Sequence, residues 1–301
     1  MKLNKTKIFG KYIFYYLPND KYIGQRIALE KYEPYETKLI LKQTKKGDVV
    51  VDVGANIGYY TILLADKVGK NGKVYAFEPD KLNFEILVKN IKANNLKNVI
   101  AVNAAVGRKN ETKVLYKSEE NLGDHKLFND QFLISNVETI QNPPVGKPTS
   151  SLKKGGSLKT KSEVVNIIKL DNFLKDQRVD LMKIDTQGWE PEVIEGVKKI
   201  IKRDKPIIFL EYSPASYTQA KLDGNKMMKF LRNIYPNIWW IDELLYVYKN
   251  LSQGKIDKIC RTNNTGYADL WMKYKPKISD YLFSQKDFKF KKWLKRNVFG
   301  L

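Results

Sequence analysis

The stretch that decides the fold is "VDVGANIGYY", residues 51–60, which follows two further valines and precedes the apolar segment 61–65. A run of β-branched residues is typical of a strand buried on both faces, and the segment after the glycines fits a helix. Gly54 and Gly58 lie between them, where glycine allows a sharp turn and a close backbone approach to a ligand. The stretch therefore predicts a strand, a glycine turn and a helix.

The alternation of strands and helices continues along the chain. The sequence predicts strands at 48–53, 73–78, 98–103, 164–170, 179–185, 206–214 and 267–274, and a hairpin over 237–249. Apolar spacing predicts helices at 59–67 and 81–94, a short helix from 171, one from 189 to about 201, and one ending near 231. This order predicts an α/β fold, in which a doubly wound, mostly parallel sheet has helices on both faces and an antiparallel edge strand.

Composition divides the chain into three parts. Residues 1–45 form a basic, aromatic N-terminal extension, 46–275 the α/β domain, and 276–301 a basic C-terminal tail. Within the domain, 129–162 is predicted to be a loop insertion because its second half is rich in proline and glycine. The insertion fits either a tolerated surface loop or a lid that binds the acceptor, and its unusual length favours the second interpretation.

The formal net charge of +21 is the unusual feature of the composition. Its sign suggests an anionic partner such as nucleic acid, a lipid surface or an acidic glycan. Lysine greatly outnumbers arginine, however, and specific phosphate and base recognition favours arginine, so a skewed genome explains the charge equally well. With one cysteine and one histidine, the chain has neither an intrachain disulfide nor a Cys/His metal cluster.

The tail has apolar residues on one helical face and cations around them. The apolar positions are Phe290, Trp293, Leu294, Val298 and Leu301, and the cations are Lys289, Lys291, Lys292, Lys295 and Arg296. This pattern fits a helix on an anionic membrane and, equally, a helix packed on the domain. No segment has the length and hydrophobicity of a spanning helix, so we expect a cytoplasmic protein whose membrane contact, if any, is peripheral at the inner face.

Polar residues follow the predicted central strands, at the edge where such sheets bind ligands. Glu78 ends the second strand, twenty positions after Gly58, where a carboxylate can accept hydrogen bonds from two ribose hydroxyls. The predicted cofactor-binding residues are Asp52, Gly54, Asn56, Gly58, Glu78 and Asn103.

The glycine turn lacks the spacing of a dinucleotide site, and Asp52 would repel a pyrophosphate. A nucleotide-dependent dehydrogenase is therefore disfavoured. S-adenosylmethionine has an amino group, a sulfonium and no phosphate, so the sequence predicts this cofactor.

Seven segments together resemble the FkbM-type methyltransferases. They are "YEPYET" (32–37), "VVVDVGANIGYYT" (49–61), "FEPD" (77–80), "NAAVG" (103–107), "GDHKL" (123–127), "MKIDTQGWEPEVIEG" (182–196) and "IIFLEYSP" (207–214). The resemblance covers roughly residues 30–275. It implies the seven-stranded, Rossmann-like fold of class I methyltransferases and O-methylation of a hydroxyl on a sugar, glycan or secondary metabolite. The insertion and the tail depart from the family pattern, so the acceptor is not carried over.

Methyl transfer to oxygen needs a group that takes the hydroxyl proton. The candidates are His125, Asp185 and Glu211, and Asp124, Lys183 and Glu190 are the candidate substrate contacts. For Asp185 the alternative is an N-cap, with Glu190 in the first turn of the helix. Asp124, Asp185 and Glu211 could hold a divalent ion, but nothing in their spacing requires one, and we predict no metal.

The sequence thus predicts an S-adenosylmethionine-dependent O-methyltransferase with a small-molecule or glycan acceptor. The alternative is a basic nucleic-acid-binding or RNA-modifying protein on a methyltransferase fold. That alternative needs exposed aromatic residues interleaved with cations. The polar residues at the predicted ligand edge argue against it. The sequence makes no prediction of oligomeric state.

Overall fold

The computed structural model describes residues 2–118, 123–128, 162–243, 247–262 and 266–275. The elements before the insertion are β1 (Asn4–Ile8), β2 (Tyr12–Tyr16), α1 (Gly24–Ala28), α2 (Pro34–Gln43), β3 (Val49–Val53), α3 (Tyr59–Val68), β4 (Lys73–Phe77), α4 (Lys81–Ala93), β5 (Val99–Val102), β6 (Ala105–Val106) and β7 (Glu111–Tyr116). Those after it are β8 (Ser162–Ile168), α5 (Leu170–Phe173), β9 (Leu181–Ile184), α6 (Glu190–Gly196), α7 (Lys198–Asp204), β10 (Ile207–Tyr212), α8 (Pro214–Gln219), α9 (Gly224–Ile234), β11 (Ile238–Asp242), β12 (Val247–Asn250), α10 (Gln253–Thr262) and β13 (Ala268–Met272).

The main sheet has the strand order β12-β11-β13-β10-β9-β3-β4-β5. Its strands from β10 to β5 are parallel, β13 runs antiparallel to both of its neighbours, and β12 is an antiparallel edge. The doubly wound, mostly parallel fold is therefore confirmed. The predicted hairpin over 237–249 is also confirmed, and its second arm, β12, extends the seven expected strands by an eighth.

A smaller sheet lies beside the main one. The segment predicted as a strand at 164–170 forms β8, which pairs with β6 and β7 in a three-stranded sheet of order β6-β8-β7. This sheet continues the chain from the end of β5. It therefore stands next to the edge of the main sheet at which the polar residues gather.

The valines of β3 are buried on both faces of the main sheet. Val51 and Val53 pack in one core with side chains of α6, α7 and α9, whereas Val50 packs in a second core with side chains of α2 and α3. Because successive strand residues face opposite sides of the sheet, burial on both sides explains the consecutive valines that precede Asp52.

The N-terminal segment is part of the second core. Ile8 and Phe14, from the β1–β2 hairpin, are buried together with Ile62. The Asn90 side chain of α4 accepts from the Tyr15 N–H at 2.6 Å and donates to its carbonyl oxygen at 3.1 Å. These contacts fix the hairpin against the helix layer.

Two predicted helices are each divided in the structure, so their predicted continuity is wrong. The helix predicted from 189 breaks between α6 and α7, because Asp171 accepts from the N–H groups of Lys199 and Ile200 and so starts a new helix there. The helix predicted to end near 231 breaks between α8 and α9, where the Asp223 side chain accepts from the Lys226 N–H. Such caps satisfy N–H groups that a continuous helix would bond internally.

The insertion before Ser162 and the tail from 276 lie outside the described residues, so their predicted roles stay predictions. Within the ranges that the structure does describe, no helix is long and apolar enough to cross a membrane.

Candidate active site

A cleft opens at the carboxyl edge of the main sheet, against the three-stranded sheet. We call it the Glu78 cleft; its lining includes Gly54, Asn56, Glu78, His125, Asp185 and Gln187. Apolar side chains of the smaller sheet and the adjoining loop, among them Val106, Leu115 and Leu127, form one wall. The cleft holds about 530 Å³ of empty space, including its opening to solvent.

Gly54 lets two neighbouring backbones meet at this edge. Its φ of +83° lies in the left-handed region, and a Cβ atom there would come within 1.9 Å of the Asp185 carbonyl oxygen. The Gly54 N–H donates to the Phe77 carbonyl oxygen at 3.0 Å. Any side chain would therefore push apart the ends of β3 and β9, and the glycine is required by packing as well as by the turn.

Glu78 is the buried carboxylate of the cleft. One oxygen accepts from the Asn56 N–H at 2.8 Å and the other from the Asp80 N–H at 2.9 Å. Burial raises the pKa of Glu78 to about 8, although these two N–H groups act to lower it. An ionised carboxylate can accept about four hydrogen bonds, so capacity remains for a ligand with two hydroxyl donors.

The other predicted cofactor residues divide into two groups. Gly54, Asn56 and Glu78 line the cleft, whereas Asp52, Gly58 and Asn103 do not. The Asp52 side chain accepts from the Thr61 hydroxyl at 2.6 Å, and a Cβ at Gly58 would meet the Leu87 side chain.

The exposed Asn103 side chain donates to the carbonyl oxygens of Glu78 and Pro79. Together with Asp52 and Gly58, it supports the turns that present the cleft residues. These three residues therefore support the cleft without lining it.

His125 lines the cleft, but both of its ring nitrogens face protein groups. Nδ1 accepts from the Ser118 N–H at 3.1 Å, and Nε2 lies 3.8 Å from the Asp80 carboxylate. Burial lowers the pKa of His125. Asp124, the neighbouring candidate, is not a lining residue, and its carboxylate lies 3.8 Å from the Lys126 ammonium.

Asp185 lines the cleft and is held by two neighbours. One carboxylate oxygen lies 3.0 Å from the buried Lys183 ammonium, and the other accepts from the Gln187 side chain at 3.0 Å. Gln187 also donates to Glu211 at 3.2 Å, so it bridges the two candidate bases. Burial, and next the Asp185 charge, raise the pKa of Glu211 well above its usual range.

Gln187 was not a candidate from the sequence. The φ of Gln187 is +53°, in the left-handed region. Sequence patterns predict side-chain direction only in regular strands and helices, so they did not indicate where this side chain lies. Gln187 lies within the segment 182–196 that resembles the FkbM family, but nothing in that segment marked it as a site residue.

Glu190 is fully buried and binds the turn that precedes its own helix. It accepts from the Thr186 N–H at 2.7 Å and hydroxyl at 2.9 Å, and from the Gly188 N–H at 3.1 Å. The N-cap position of α6 is Trp189, so the alternative placement of Asp185 as an N-cap is wrong. Burial raises the pKa of Glu190 to about 7.

A second group of acids lies beyond Asp185 on the same edge. We call it the acidic row; its members are Glu33, Glu36, Asp185, Glu211, Glu243 and Asp269. Four of these were not candidates from the sequence, because α2, β11 and β13 lie far apart along the chain and only the fold brings them together. Among the described residues, no group of three or more His, Cys, Asp or Glu side chains could hold a metal ion.

Comparison with known proteins identifies the family. The family model described as "Methyltransferase FkbM domain" matches residues 52–237, more than half of the chain. The chain is 26% identical over 152 residues to "Methyltransferase 1" of Beauveria bassiana (strain ARSEF 2860) and 28% identical over 160 residues to "Methyltransferase sdnD" of Sordaria araneosa. Each match covers 49% of this chain, and they cover 57% and 60% of the respective relatives.

A solved methyltransferase FkbM from Methylobacillus flagellatus KT is 14% identical, with a TM-score of 0.43. That match covers 76% of this chain and 44% of the other.

Proposed function

Because the chain belongs to the FkbM methyltransferase family, we propose that it transfers a methyl group from S-adenosylmethionine to a hydroxyl of a sugar, a glycan or another small molecule. The observation that carries the proposal is the Glu78 carboxylate. It is buried at the end of β4, is held by two backbone N–H groups, and faces a cleft beside the Gly54 turn.

The residues of the Glu78 cleft fit the proposed cofactor. Glu78 retains acceptor capacity for the two ribose hydroxyls, and the bare backbone at Gly54 allows close approach. The apolar wall formed by Val106, Leu115 and Leu127 suits an aromatic base. When bound, S-adenosylmethionine supplies a methyl group on a sulfonium, whose carbon–sulfur bond breaks as the bond to the acceptor oxygen forms.

Asp185 is the best placed of the three candidate bases. It lines the cleft, while Lys183 and Gln187 fix its two oxygens and so its orientation. In this proposal the acceptor hydroxyl gives its proton to an Asp185 oxygen. A positioned base typically contributes about 10²–10⁴-fold to the rate. His125 is less suited, because its two nitrogens already face Ser118 and Asp80.

Calorimetric titration of the full-length protein with S-adenosylmethionine and S-adenosylhomocysteine tests the cofactor. A panel of glycans and small alcohols, incubated with S-adenosylmethionine and examined for the mass of one added methyl group, then tests the reaction. We expect binding of both cofactor forms and methylation of one acceptor class. Failure of both cofactor forms to bind a folded protein would overturn the proposal.

Modification of RNA is a second candidate, favoured by the net charge of +21. The acidic row argues against it, because phosphates near those carboxylates would be repelled. Filter binding of unrelated RNAs at about 150 mM salt, the ionic strength at which the Debye length is about 8 Å, decides between the two. Tight RNA binding that brings methyl transfer to the RNA would replace the sugar acceptor in our proposal.

We further propose that the basic tail binds anionic membrane peripherally, as its segregated apolar and cationic faces suggest. Sedimentation with vesicles that contain phosphatidylserine, comparing the full chain with a variant that ends at Ser284, tests this. Loss of binding in the shortened variant is expected, and equal sedimentation of the two would contradict it.

A further inference from the structure

The acidic row begins with four acids on neighbouring strands. Asp185 follows β9, Glu211 is in β10, Asp269 is in β13, and Glu243 follows β11. The register pairs Ile184 with Leu210, and Glu211 with Asp269, so these acids lie side by side at the carboxyl edge of the parallel strands. Like charges at this spacing repel one another unless protons or a cation neutralise them.

The start of α2 adds two more acids to the row. The N–H groups of Tyr35 and Glu36 donate to the Glu243 carboxylate, which places the first turn of α2 against the sheet edge. Glu33, just before this helix, accepts from the Tyr60 hydroxyl at 2.7 Å. Tyr60 in turn lies under the Lys183 ammonium, which is 4.7 Å from its ring centroid.

Among the described residues, Glu36 stands out because its side chain is largely buried while its carboxylate has no bonded neighbour. It is only 5% exposed, and within the part of the chain that the structure describes, its carboxylate makes neither a hydrogen bond nor an ion pair. Burial, and next the charge of Asp269, raise the pKa of Glu36 well above its usual range. A buried carboxyl of this kind is held neutral by a proton, or by a cation that replaces the proton.

Lys183 is an ammonium that the structure places among these acids, and it is already paired with Asp185. Burial opposes its charge, but Asp185 and Glu36 outweigh burial and hold the pKa of Lys183 well above its usual range. Its nitrogen lies 3.0 Å from Asp185. Among the described residues, neither Glu36 nor Asp269 makes an ion pair with this ammonium, and the charge of Asp269 acts on Glu36. These two carboxyls are therefore left for a second positive group.

The position of the row separates it from the proposed cofactor. Of its six members only Asp185 lines the Glu78 cleft. A positive group bound at Glu36 and Asp269 therefore belongs to the molecule on the other side of Asp185, which is where the methyl acceptor must lie if Asp185 takes its proton.

We propose that the methyl acceptor carries a protonated amine beside its hydroxyl, as an amino sugar does, and that Glu36 and Asp269 bind this ammonium while Asp185 faces the hydroxyl. The inference rests on the methyltransferase function proposed above and names the acceptor class for the same site. Charge-assisted hydrogen bonds of this kind are the strong ones in proteins. An ammonium on the acceptor also explains the acidic edge of a chain whose net charge is +21.

The test uses the full-length protein saturated with S-adenosylhomocysteine. Glucosamine and galactosamine, each beside its uncharged N-acetyl derivative, are titrated and followed by saturation-transfer NMR. We expect each amine to bind at least tenfold more tightly than its N-acetyl derivative. Equal affinity within both pairs, or no binding of either amine, would overturn the inference.

Two variants and one control locate the effect. Glu36→Gln and Asp269→Asn should each weaken amine binding about tenfold, the size expected for one hydrogen bond to a charged group, and leave the N-acetyl sugars unchanged. Glu195→Gln makes the same chemical change on α6, where Glu195 pairs with Lys198 at 2.6 Å, and should change neither. Unchanged amine affinity in both row variants would contradict the assignment of the ammonium site. If Glu36→Gln fails to fold, Asp269→Asn still tests the assignment, because Asp269 is only half-buried.

Titration with S-adenosylhomocysteine in the same samples separates the two proposals. If it binds and the amines do not, only the acceptor class is wrong. If it does not bind, the methyltransferase proposal itself fails.

Discussion

The two halves of the sheet edge handle charge in opposite ways. In the Glu78 cleft a single buried carboxylate is satisfied by two backbone N–H groups and stands opposite an apolar wall. In the acidic row six acids lie along the same edge, and one of them, Glu36, is largely buried with no bonded partner in the described structure. The first half is suited to a neutral diol and an aromatic ring, the second to a positive group.

This difference supports our proposal that the cofactor and the methyl acceptor bind in separate electrostatic environments on one edge. Asp185 belongs to both halves, since it lines the cleft and is a member of the row. Lys183 and Gln187 fix its two oxygens. The boundary between the halves is therefore the place where we expect the chemistry.

The largest effect is expected from Gly54, which brings the two halves together. Gly54→Ala should destabilise the protein by about 3–5 kcal/mol, because the new Cβ would clash with the Asp185 carbonyl oxygen. Urea unfolding measures the loss. Gly47→Ala is the matched control, since Gly47 has φ +85° but nothing within 4 Å of a Cβ, and it should lose only about 1 kcal/mol. Equal losses in the two variants would show that the contact at the strand ends does not matter.

The second-largest effect is expected from Asp185, which belongs to both halves of the edge. Asp185→Asn should lower the methyl-transfer rate about 10²-fold or more, because the amide cannot take the hydroxyl proton. Single-turnover measurement at saturating cofactor separates this from binding. His125→Ala should lower the rate less, since His125 faces Ser118 and Asp80. A greater loss in His125→Ala than in Asp185→Asn would transfer the role of base to the histidine.

The smallest effect is a pH dependence confined to the cleft. The pKa of Glu78 is about 8 in the folded protein, and the charged form accepts the ribose hydrogen bonds better. Affinity for S-adenosylhomocysteine should therefore rise about tenfold between pH 7 and pH 9, as the ionised fraction grows. Calorimetry across this range measures it, with Glu78→Gln expected to lack this rise. A fall in affinity over the same range would contradict the role of Glu78.

The same pKa has the opposite effect on stability. Because burial raises the folded-state pKa of Glu78 above its usual 4.5, the neutral form stabilises the fold fully below about pH 4.5, and this contribution is lost as pH rises through about 8. The cofactor-free protein should thus become less stable over the range in which it binds cofactor better. Glu78→Gln should remove this part of the pH dependence in thermal melts.

The sequence predicted the cleft better than the row, for a physical reason. Gly54, Asn56 and Glu78 follow strands directly, and the ends of adjacent parallel strands must meet, so local patterns place them. Glu36 and Asp269 are brought together only by the packing of α2 and by the insertion of β13 between β10 and β11. No local pattern marks a residue whose neighbours are more than two hundred positions away.

Helix continuity failed for a related reason. The apolar spacing through Val193, Val197 and Ile201 is compatible with one helix, and it predicted the buried face of α6 and α7 correctly. The break depends on Asp171, a residue from another element that caps α7. Apolar periodicity predicts which face of a helix is buried. It does not predict a helix cap supplied by a residue distant in sequence, because such a cap is a tertiary contact.

The most direct test of the two-halves account is a calorimetric titration of wild-type protein, Glu78→Gln and Glu36→Gln with S-adenosylhomocysteine at pH 9. We expect Glu78→Gln to weaken binding about tenfold or more, since hydrogen bonds to a charged group contribute about 1.5–3 kcal/mol each. Glu36→Gln should bind as tightly as wild type, because we assign Glu36 to the acceptor half. Equal weakening in both variants, or undiminished binding in a folded Glu78→Gln protein, would contradict the division of the edge into a cofactor half and an acceptor half.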